Sequence, residues 1–205
     1  MIDLYLAPTA NGLRASVTLE ECGLAYRAQK VDLAKGEQRS PEFLKLNPAG
    51  QIPVIVDPDG PGGRPLTMCQ SGAIILYLAE KTGKFLPKDA TRRAAALQWF
   101  MQGATDVAPT SGAIFQVEVV APEKNPAITE HFKKRLLGFF SVCDRHLQGR
   151  EFLADEFSIA DLMLYPNFSA RKGLIDQAGG FVNLQRWGAA LAARPGVARG
   201  MKVLG

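Results

Sequence analysis

The chain contains few of the residues that build metal sites and disulfide frameworks. Among its 205 residues there are only three cysteines and two histidines. The cysteines (Cys22, Cys69 and Cys143) are far apart in the sequence and have apolar neighbours. We therefore expect reduced thiols, as in a cytoplasmic protein, and neither a disulfide framework nor a metal site.

Long apolar runs and clustered charge are also missing. The longest stretch without a charged residue spans residues 65–79, which is shorter than the ~18 residues that a membrane span needs. The first residues show no basic segment followed by an apolar run, so we expect no signal peptide. The net charge of +4 is spread along the chain, and no pattern in it indicates nucleic-acid binding.

The pattern of apolar, turn and cap residues over residues 1–86 predicts a small α/β domain with the order βαβ-α-ββα. Alternating apolar residues at positions 2, 4 and 6 indicate a first strand, and residues 26–33 indicate a second. The helix between them has Asn11 as its predicted cap, so the two strands should be parallel. Two further strands, around residues 52–57 and 66–70, flank a loop rich in proline and glycine, and the helix after them has Ser71 as its predicted N-cap.

Residues 87–205 predict a second domain that is entirely helical. A long helix begins near residue 94, and Pro109 should kink it. Further helices are predicted around residues 127–148, over residues 184–193 and after Pro195. Between them, Ser158 and Asp161 have the spacing of a reciprocal capping box, which indicates the start of another helix.

Three features of the first domain point to a ligand site. The helices that start near Asn11 and Ser71 each present backbone N–H groups and a partial positive charge, which favour an anion. Pro53 stands at the entry of an inner strand, so the Ile52–Pro53 bond is a candidate for the cis form, which would turn the backbone of Ile52 outward. Cap residues alone are usually structural, but the convergence of all three on one end of the sheet favours a binding site.

Several motifs together resemble the cytosolic glutathione transferases. They are Gln-Ile-Pro at residues 51–53, Gln-Ser-Gly-Ala-Ile at 70–74, Tyr-Leu-Ala-Glu at 77–80, Ser-Ile-Ala-Asp at 158–161 and Arg-Pro-Gly-Val at 194–197. The resemblance implies a thioredoxin-like N-terminal domain, a helical bundle as C-terminal domain and a homodimer. It also implies glutathione as co-substrate without a permanently bound cofactor, and a small hydrophobic electrophile or a disulfide as second substrate.

The segment at residues 7–12, with Gly-Glu-Gln at 36–38, resembles the bacterial nu-class branch of that family. This resemblance implies that Asn11 and Thr9 meet the glutathione thiol, and that disulfide-bond reduction accompanies or replaces conjugation. No tyrosine or cysteine lies between Ala7 and Ala15, which disfavours the mechanisms that use those residues. That Asn11 is only a helix cap remains the alternative interpretation.

The same resemblance assigns the glutathione contacts. Ser71 and its helix would hold the γ-glutamyl carboxylate and Gln70 the α-ammonium group; the Ile52 backbone would pair with the cysteinyl unit, and Gln38 and Gln51 would reach the glycine end, with Pro53 as a structural cis-proline. The branch often has an acid at position 70 and a lysine at position 51, and both are neutral amides here. Asp106 is a weaker candidate for reaching the partner subunit's glutathione. Three functions stay open: a glutathione transferase, a predominantly glutathione-dependent disulfide reductase, and a non-catalytic glutathione-binding protein.

Overall fold

A four-stranded sheet forms the centre of the N-terminal part. The structure, a computed structural model, describes all 205 residues. The strands are β1 (Ile2–Leu6), β2 (Tyr26–Lys30), β3 (Val54–Asp57) and β4 (Leu66–Cys69), in the spatial order β2, β1, β3, β4. β1 pairs in parallel with β2 and antiparallel with β3, and β3 pairs antiparallel with β4. The prediction of a parallel pair followed by a hairpin is thereby confirmed.

The strand ends follow from local chemistry. Ile2, Leu4 and Leu6 are buried whereas the residues between them are half-buried, because successive side chains of a strand point to opposite faces. The second strand ends at Lys30, three residues before its predicted end. The Asp32 carboxylate accepts the backbone N–H groups of Ala34 and Lys35 at 3.0 and 3.2 Å, and such a bond closes a turn that a strand cannot continue through.

Ten α-helices make up much of the rest of the chain. They are α1 (Ala10–Cys22), α2 (Pro41–Leu46), α3 (Ser71–Thr82), α4 (Ala90–Met101), α5 (Ala108–Phe115), α6 (Pro126–His146), α7 (Ile159–Ala170), α8 (Lys172–Ala178), α9 (Val182–Ala192) and α10 (Pro195–Met201). The sequence does not predict α8, because its seven residues include only one buried side chain, Ile175, and show no periodic pattern. None of the ten is long and apolar enough to cross a membrane.

The C-terminal segment belongs with the sheet. The chain divides into two compact units, one formed by Met1–Lys84 together with Ala192–Gly205 and the other by Phe85–Leu191. Helix α10 packs against α1, where the Ser16 hydroxyl donates to the Gly200 carbonyl at 2.8 Å and a Cβ at Gly200 would overlap the backbone of Val17. The sequence-based division assigned all of residues 87–205 to the helical domain, because periodicity shows that α10 is a helix but not which unit it packs on. The boundary between residues 86 and 87 stays a prediction.

The helical unit contains two stretches of π-helix. One (Gln102–Val107) joins α4 to α5, and the other (Gln116–Val120) follows α5. Pro109 lies in the first turn of α5. A proline interrupts the regular hydrogen-bond ladder of a helix, and π-turns are a common way to absorb such an interruption. The irregularity predicted at Pro109 therefore takes the form of a π-helical segment directly before it.

The predicted capping box is present at the start of α7. The Ser158 side chain accepts from the helix backbone, and the Asp161 side chain accepts from the Ser158 N–H at 3.0 Å. The same carboxylate accepts the Leu153 N–H at 3.1 Å and the Trp187 indole N–H at 2.8 Å. Asp161 is completely buried, so it joins the start of α7 to two other segments of the helical unit.

Candidate functional site

A cleft lies at one end of the sheet, within the unit that contains residues 1–84. The strand register explains its position, because Tyr5 near the end of β1 lies opposite Val54, and Val54 lies opposite Cys69. The start of α1, the turn before β3 and the start of α3 therefore meet. The cleft is lined by Asn11, Asn47, Gln51, Ile52, Pro53, Gln70 and Ser71. None of these side chains is ionisable. A charged group of a ligand would therefore be stabilised by backbone dipoles, by neutral polar groups and by residues behind the lining.

Thr9, and not Asn11, caps helix α1. The helix begins at Ala10, and the Thr9 hydroxyl oxygen accepts the Gly12 N–H at 3.3 Å. The predicted cap was wrong by two residues, because a threonine is nearly as good a cap as an asparagine and the sequence does not show which of them has the extended backbone. Asn11 lies inside the first turn and is exposed. Its side chain is therefore not committed to capping.

The start of α3 has no side-chain cap. Ser71 is its first residue, and the preceding residue, Gln70, occupies the N-cap position with a φ of 69° and makes no capping hydrogen bond. The prediction that Ser71 is the N-cap was thus wrong by one residue. The first intrahelical bond is donated by Ile74 to the Gln70 carbonyl at 3.0 Å. The N–H groups of residues 71–73 precede that bond, and such groups are available to an anion.

Asn47 organises the turn that precedes β3. It is buried, and its amide nitrogen donates to the Gln51 carbonyl at 2.7 Å while its amide oxygen accepts the Ala49 N–H at 3.1 Å. The Ile52–Pro53 bond that follows is cis, as predicted. Because the turn is fixed from behind by Asn47, it holds the backbone of Ile52 at the border of the cleft. Asn47 was not among the site residues predicted from the sequence.

Arg14 is the functional candidate that sequence reasoning missed. Only 1% of it is exposed. One of its terminal nitrogens, Nη1, donates to the Asn11 Oδ1 at 2.5 Å and to the Ser71 Oγ at 3.2 Å. Burial lowers the pKa of the guanidinium to about 10, so Arg14 remains protonated near neutral pH. It places a buried positive charge against two lining residues that belong to different helices.

One sequence signal points to Arg14. It lies three residues after Asn11, on the same side of a helix, and it is the only charged residue between Asp3 and Glu20. An arginine amid apolar helix positions is usually paired or functional, because its charge is costly to bury. The helical pattern alone did not indicate this burial, since α1 is covered by both α3 and α10 and has no solvent-facing side at position 14.

Two predicted site residues do not line the cleft. Thr9 is engaged as the cap of α1. Gln38 lies in a short 3₁₀ turn (Glu37–Arg39), where its side-chain oxygen is buried and has no hydrogen-bond partner. Asp106 lies in the first π-helical segment of the other unit. Cys69 packs against the apolar cluster around Phe43, as a structural cysteine does.

Comparisons with known proteins show the family. Residues 10–81 match the family model described as Glutathione S-transferase, N-terminal domain. The chain is 40% identical over 198 residues to the disulfide-bond oxidoreductase YfcG of Escherichia coli (strain K12), covering 95% of this chain and 92% of that protein. It is 33% identical over 216 residues to YghU, a second disulfide-bond oxidoreductase of that strain, covering 97% and 73%. The chain therefore belongs to the glutathione S-transferase family.

Solved bacterial structures have the same fold over nearly the whole chain. A glutathione transferase from Pseudomonas putida, with one glutathione disulfide bound per subunit, has a TM-score of 0.91 at 38% identity and covers 100% of this chain and 92% of its own. Another from Burkholderia graminis, with two glutathione molecules per subunit, has a TM-score of 0.90 at 38% identity, with coverage of 99% and 88%. The fold is thus the thioredoxin-like domain and helical region that the resemblance implied.

Proposed function

We propose that this chain is a glutathione-dependent enzyme in which the bound glutathione thiolate attacks a disulfide or an electrophilic carbon. One observation carries the proposal: the amide of Asn11, the uncapped start of α3 and the backbone of Ile52 border a single polar cleft. A tripeptide with an anionic end and a reactive thiol needs an anion site, a backbone pairing edge and a donor near the sulfur. The cleft offers all three.

Glutathione would bind along this cleft with its γ-glutamyl carboxylate at the start of α3. The Ser71 hydroxyl and the N–H groups of the first turn supply donors there, and the helix dipole adds about 0.3–1 kcal/mol for a negative group. The Gln70 amide oxygen would accept from the α-ammonium group. The Ile52 backbone would pair with the cysteinyl unit, and Gln51 would approach the glycine end. Gln38, which does not line the cleft, would have to turn its side chain to reach that end.

Asn11 would stabilise the thiolate. A free thiol has a pKa of about 8.5, so only a few per cent is ionised near neutral pH. A hydrogen bond to a charged group contributes about 1.5–3 kcal/mol, equivalent to roughly one or two pKa units, and together with the helix dipole it would make the thiolate the major species. An amide cannot accept the thiol proton as a base does, so the proton leaves to solvent. Thr9 is the second candidate, but its hydroxyl oxygen already accepts from the helix backbone.

A disulfide is the acceptor that the relatives favour. Both Escherichia coli relatives described above are named disulfide-bond oxidoreductases, and the two bacterial structures hold glutathione disulfide or two glutathione molecules. In the first step the thiolate attacks one sulfur of the substrate, forming a mixed disulfide and releasing a thiolate. A second glutathione then attacks the glutathione sulfur of the mixed disulfide, giving glutathione disulfide and a second released thiolate. The two electrons come from two glutathiones, so no cysteine of the chain is needed.

Conjugation to an electrophilic carbon is the second candidate, because another relative is named a transferase. This relative, Glutathione S-transferase F10 of Arabidopsis thaliana, is 34% identical over 175 residues, covering 81% of this chain. For either reaction we propose a cytoplasmic homodimer of the nu-class branch that uses glutathione as co-substrate and has no permanently bound cofactor. Light scattering coupled to size-exclusion chromatography would measure the assembly.

The decisive experiment compares turnover of a small glutathione mixed disulfide with turnover of a chloro-nitro-aromatic acceptor, each with glutathione. We expect faster turnover of the disulfide. Negligible turnover of both, together with tight glutathione binding in a titration, would contradict an enzymatic function and favour a glutathione-binding protein. Failure to bind glutathione would contradict both.

A further inference from the structure

We propose that Arg14 is a positioning residue that fixes the Asn11 amide and the Ser71 hydroxyl as hydrogen-bond donors toward the cleft. This inference rests on the proposed function, because it specifies how the glutathione site is prepared. Arg14 does not line the cleft itself. It acts through the two side chains that do, and it connects the start of α1 to the start of α3.

The contact with Asn11 decides which way its amide faces. A guanidinium has N–H donors and no acceptor, so the atom of Asn11 that meets Arg14 Nη1 at 2.5 Å must be the oxygen. An amide has its oxygen and nitrogen on opposite sides of the same carbon, and with the oxygen held by Arg14 the NH₂ group is left for a cleft ligand. Without Arg14 the amide could turn over and present its oxygen, which would repel a thiolate.

The contact with Ser71 orients the hydroxyl of that residue in a similar way. The Ser71 oxygen accepts from Arg14 Nη1 at 3.2 Å. A hydroxyl has a single proton, and with the guanidinium occupying one lone-pair direction that proton is turned away from Arg14. Ser71 borders the cleft, so its hydroxyl is prepared to donate to a carboxylate there. The same nitrogen thus orients both the proposed thiolate donor and the proposed carboxylate donor.

Burial of Arg14 strengthens its hydrogen bonds. Because Arg14 and Ser71 are both buried, water does not compete for the hydrogen bond between them, and this bond acts in a medium of low dielectric. The bond to the exposed Asn11 amide is held at its buried, Arg14 end. The charge of Arg14 also lies behind a cleft whose lining has no ionisable side chain.

The test compares Arg14→Met with Arg14→Lys. Both replacements are long and unbranched, but only lysine retains a donor without an acceptor. Two readouts that need no turnover separate the two contacts. Ultraviolet titration of bound glutathione reports the ionisation of the thiol and therefore the Asn11 donor. The affinity for S-methylglutathione, which cannot form a thiolate, reports the Ser71 donor. Steady-state pH–rate profiles and KM accompany them.

We expect Arg14→Met to lower the ratio of thiolate to thiol near neutral pH about tenfold, the lower end of what one hydrogen bond to a charge provides. S-methylglutathione should also bind more weakly, and Arg14→Lys should recover most of both losses. In Asn11→Ala, adding Arg14→Met should leave the thiol titration unchanged while still weakening S-methylglutathione binding. Thr18→Val is the matched control, because Thr18 is buried on the same helix and its hydroxyl donates to the Arg14 backbone carbonyl at 2.7 Å.

Three results would overturn the inference: parental titration and affinity in Arg14→Met, additive effects of Asn11→Ala and Arg14→Met on the thiol, or losses in Thr18→Val as large as those in Arg14→Met. If Arg14→Met does not fold, Arg14→Gln replaces it, because its neutral amide presents an acceptor as well as a donor to Asn11 and Ser71. The ionisation of bound glutathione should then still fall, and parental titration and affinity in Arg14→Gln would overturn the inference. A parent that does not bind glutathione would instead defeat the proposed function, and this inference with it. A parent that binds and ionises glutathione while the Arg14 variants match it would defeat this inference alone.

Discussion

Helices α7 and α3 differ in whether side chains of the protein cap their first turns. At α7 the chain closes the helix end itself: Ser158 and Asp161 cap each other, and the buried Asp161 carboxylate also accepts from Leu153 and Trp187. At α3 the N-cap residue, Gln70, makes no capping bond, and the first-turn N–H groups border a cleft. One helix start is satisfied within the protein and the other is left open.

This difference shows when the unpaired N–H groups at a helix start stabilise the fold and when they are available to bind a ligand. Every helix begins with N–H groups that lack an intrahelical partner. When a carboxylate of the chain satisfies them, the result is stability; when none does, the site is ready for the carboxylate of a ligand. A mutation at the closed start should therefore change stability without changing ligand affinity, and a mutation at the open start should do the reverse.

The largest expected effect is that of Asp161→Ala at the closed start. The substitution removes a cap, worth about 0.5–2 kcal/mol, and leaves buried donors unsatisfied, which costs about 1–3 kcal/mol more. Thermal denaturation should show a Tm lower by roughly 5–15 °C for a chain of this size. The affinity of the folded fraction for glutathione should stay parental.

The control is Asp176→Ala in the same unit, where Asp176 forms an exposed ion pair with Lys172 at 2.7 Å. Such pairs contribute little, so the Tm should hardly move. An Asp161→Ala protein with parental Tm but reduced turnover would show that Asp161 acts at the ligand site.

Second in size is the effect of Asn11→Ala, beside the open start. Removing the amide donor should lower turnover at neutral pH by roughly 10- to 30-fold, because the ionised fraction then falls from most of the bound thiol to the few per cent of a free thiol. High pH should restore much of the rate, because hydroxide then generates the thiolate. Binding of the neutral thiol should barely change, which a titration below the thiol pKa measures.

Asn11→Asp is the matched variant for this prediction. Its carboxylate can still accept from Arg14, but it has no donor for the sulfur and adds a negative charge. It should lose at least as much activity as Asn11→Ala. If Asn11→Asp retains the parental pH profile, Asn11 does not stabilise the thiolate, and Thr9 becomes the candidate to test.

The sequence predicted the architecture well and the helix starts less well. Periodicity and turn residues identify the strands and nearly all helices, and the motif at residues 51–53 anticipates the cis Ile52–Pro53 bond. The caps at Asn11 and Ser71 were each misplaced by one or two residues. Neighbouring polar residues compete for the cap position, and their backbone angles decide the outcome. Arg14 was missed because α1 packs against both α3 and α10, which lie far away in the sequence.

The third prediction concerns Ser71→Ala at the open start. The hydroxyl would meet a carboxylate that stays charged throughout the reaction, so its loss weakens ground and transition states alike. KM for glutathione should rise about tenfold, the value of one charge-assisted hydrogen bond, while kcat stays nearly parental. Ser141→Ala serves as control, since Ser141 accepts only from Arg145 on an exposed helix face. A large fall in kcat with unchanged KM would assign Ser71 to the thiol instead.

The smallest effect is expected in the C-terminal half of α3, where polar side chains of the helix are paired with a carboxylate of the protein. Asp57 at the end of β3 is 2% exposed and accepts from the Tyr77 hydroxyl at 2.6 Å and from Lys81 at 3.0 Å. Burial opposes its ionisation, but these two hydrogen bonds and that of the Asp59 N–H outweigh burial and lower the pKa of the Asp57 carboxyl.

Asp57→Asn should therefore lower the free energy of unfolding at neutral pH by about 1 kcal/mol, because the amide still accepts from Tyr77 but has no charge for Lys81. A carboxyl with a lowered folded-state pKa contributes stability above its unfolded pKa of about 3.9 and loses it as the pH falls further. The difference between the parent and Asp57→Asn should thus shrink below about pH 4, as urea denaturation at several pH values would measure. A constant difference over that range would show that packing, and not the charge of Asp57, holds this half of α3 to the sheet. Glutathione affinity should stay parental in Asp57→Asn, since the open start of α3 lies at the opposite end of the helix.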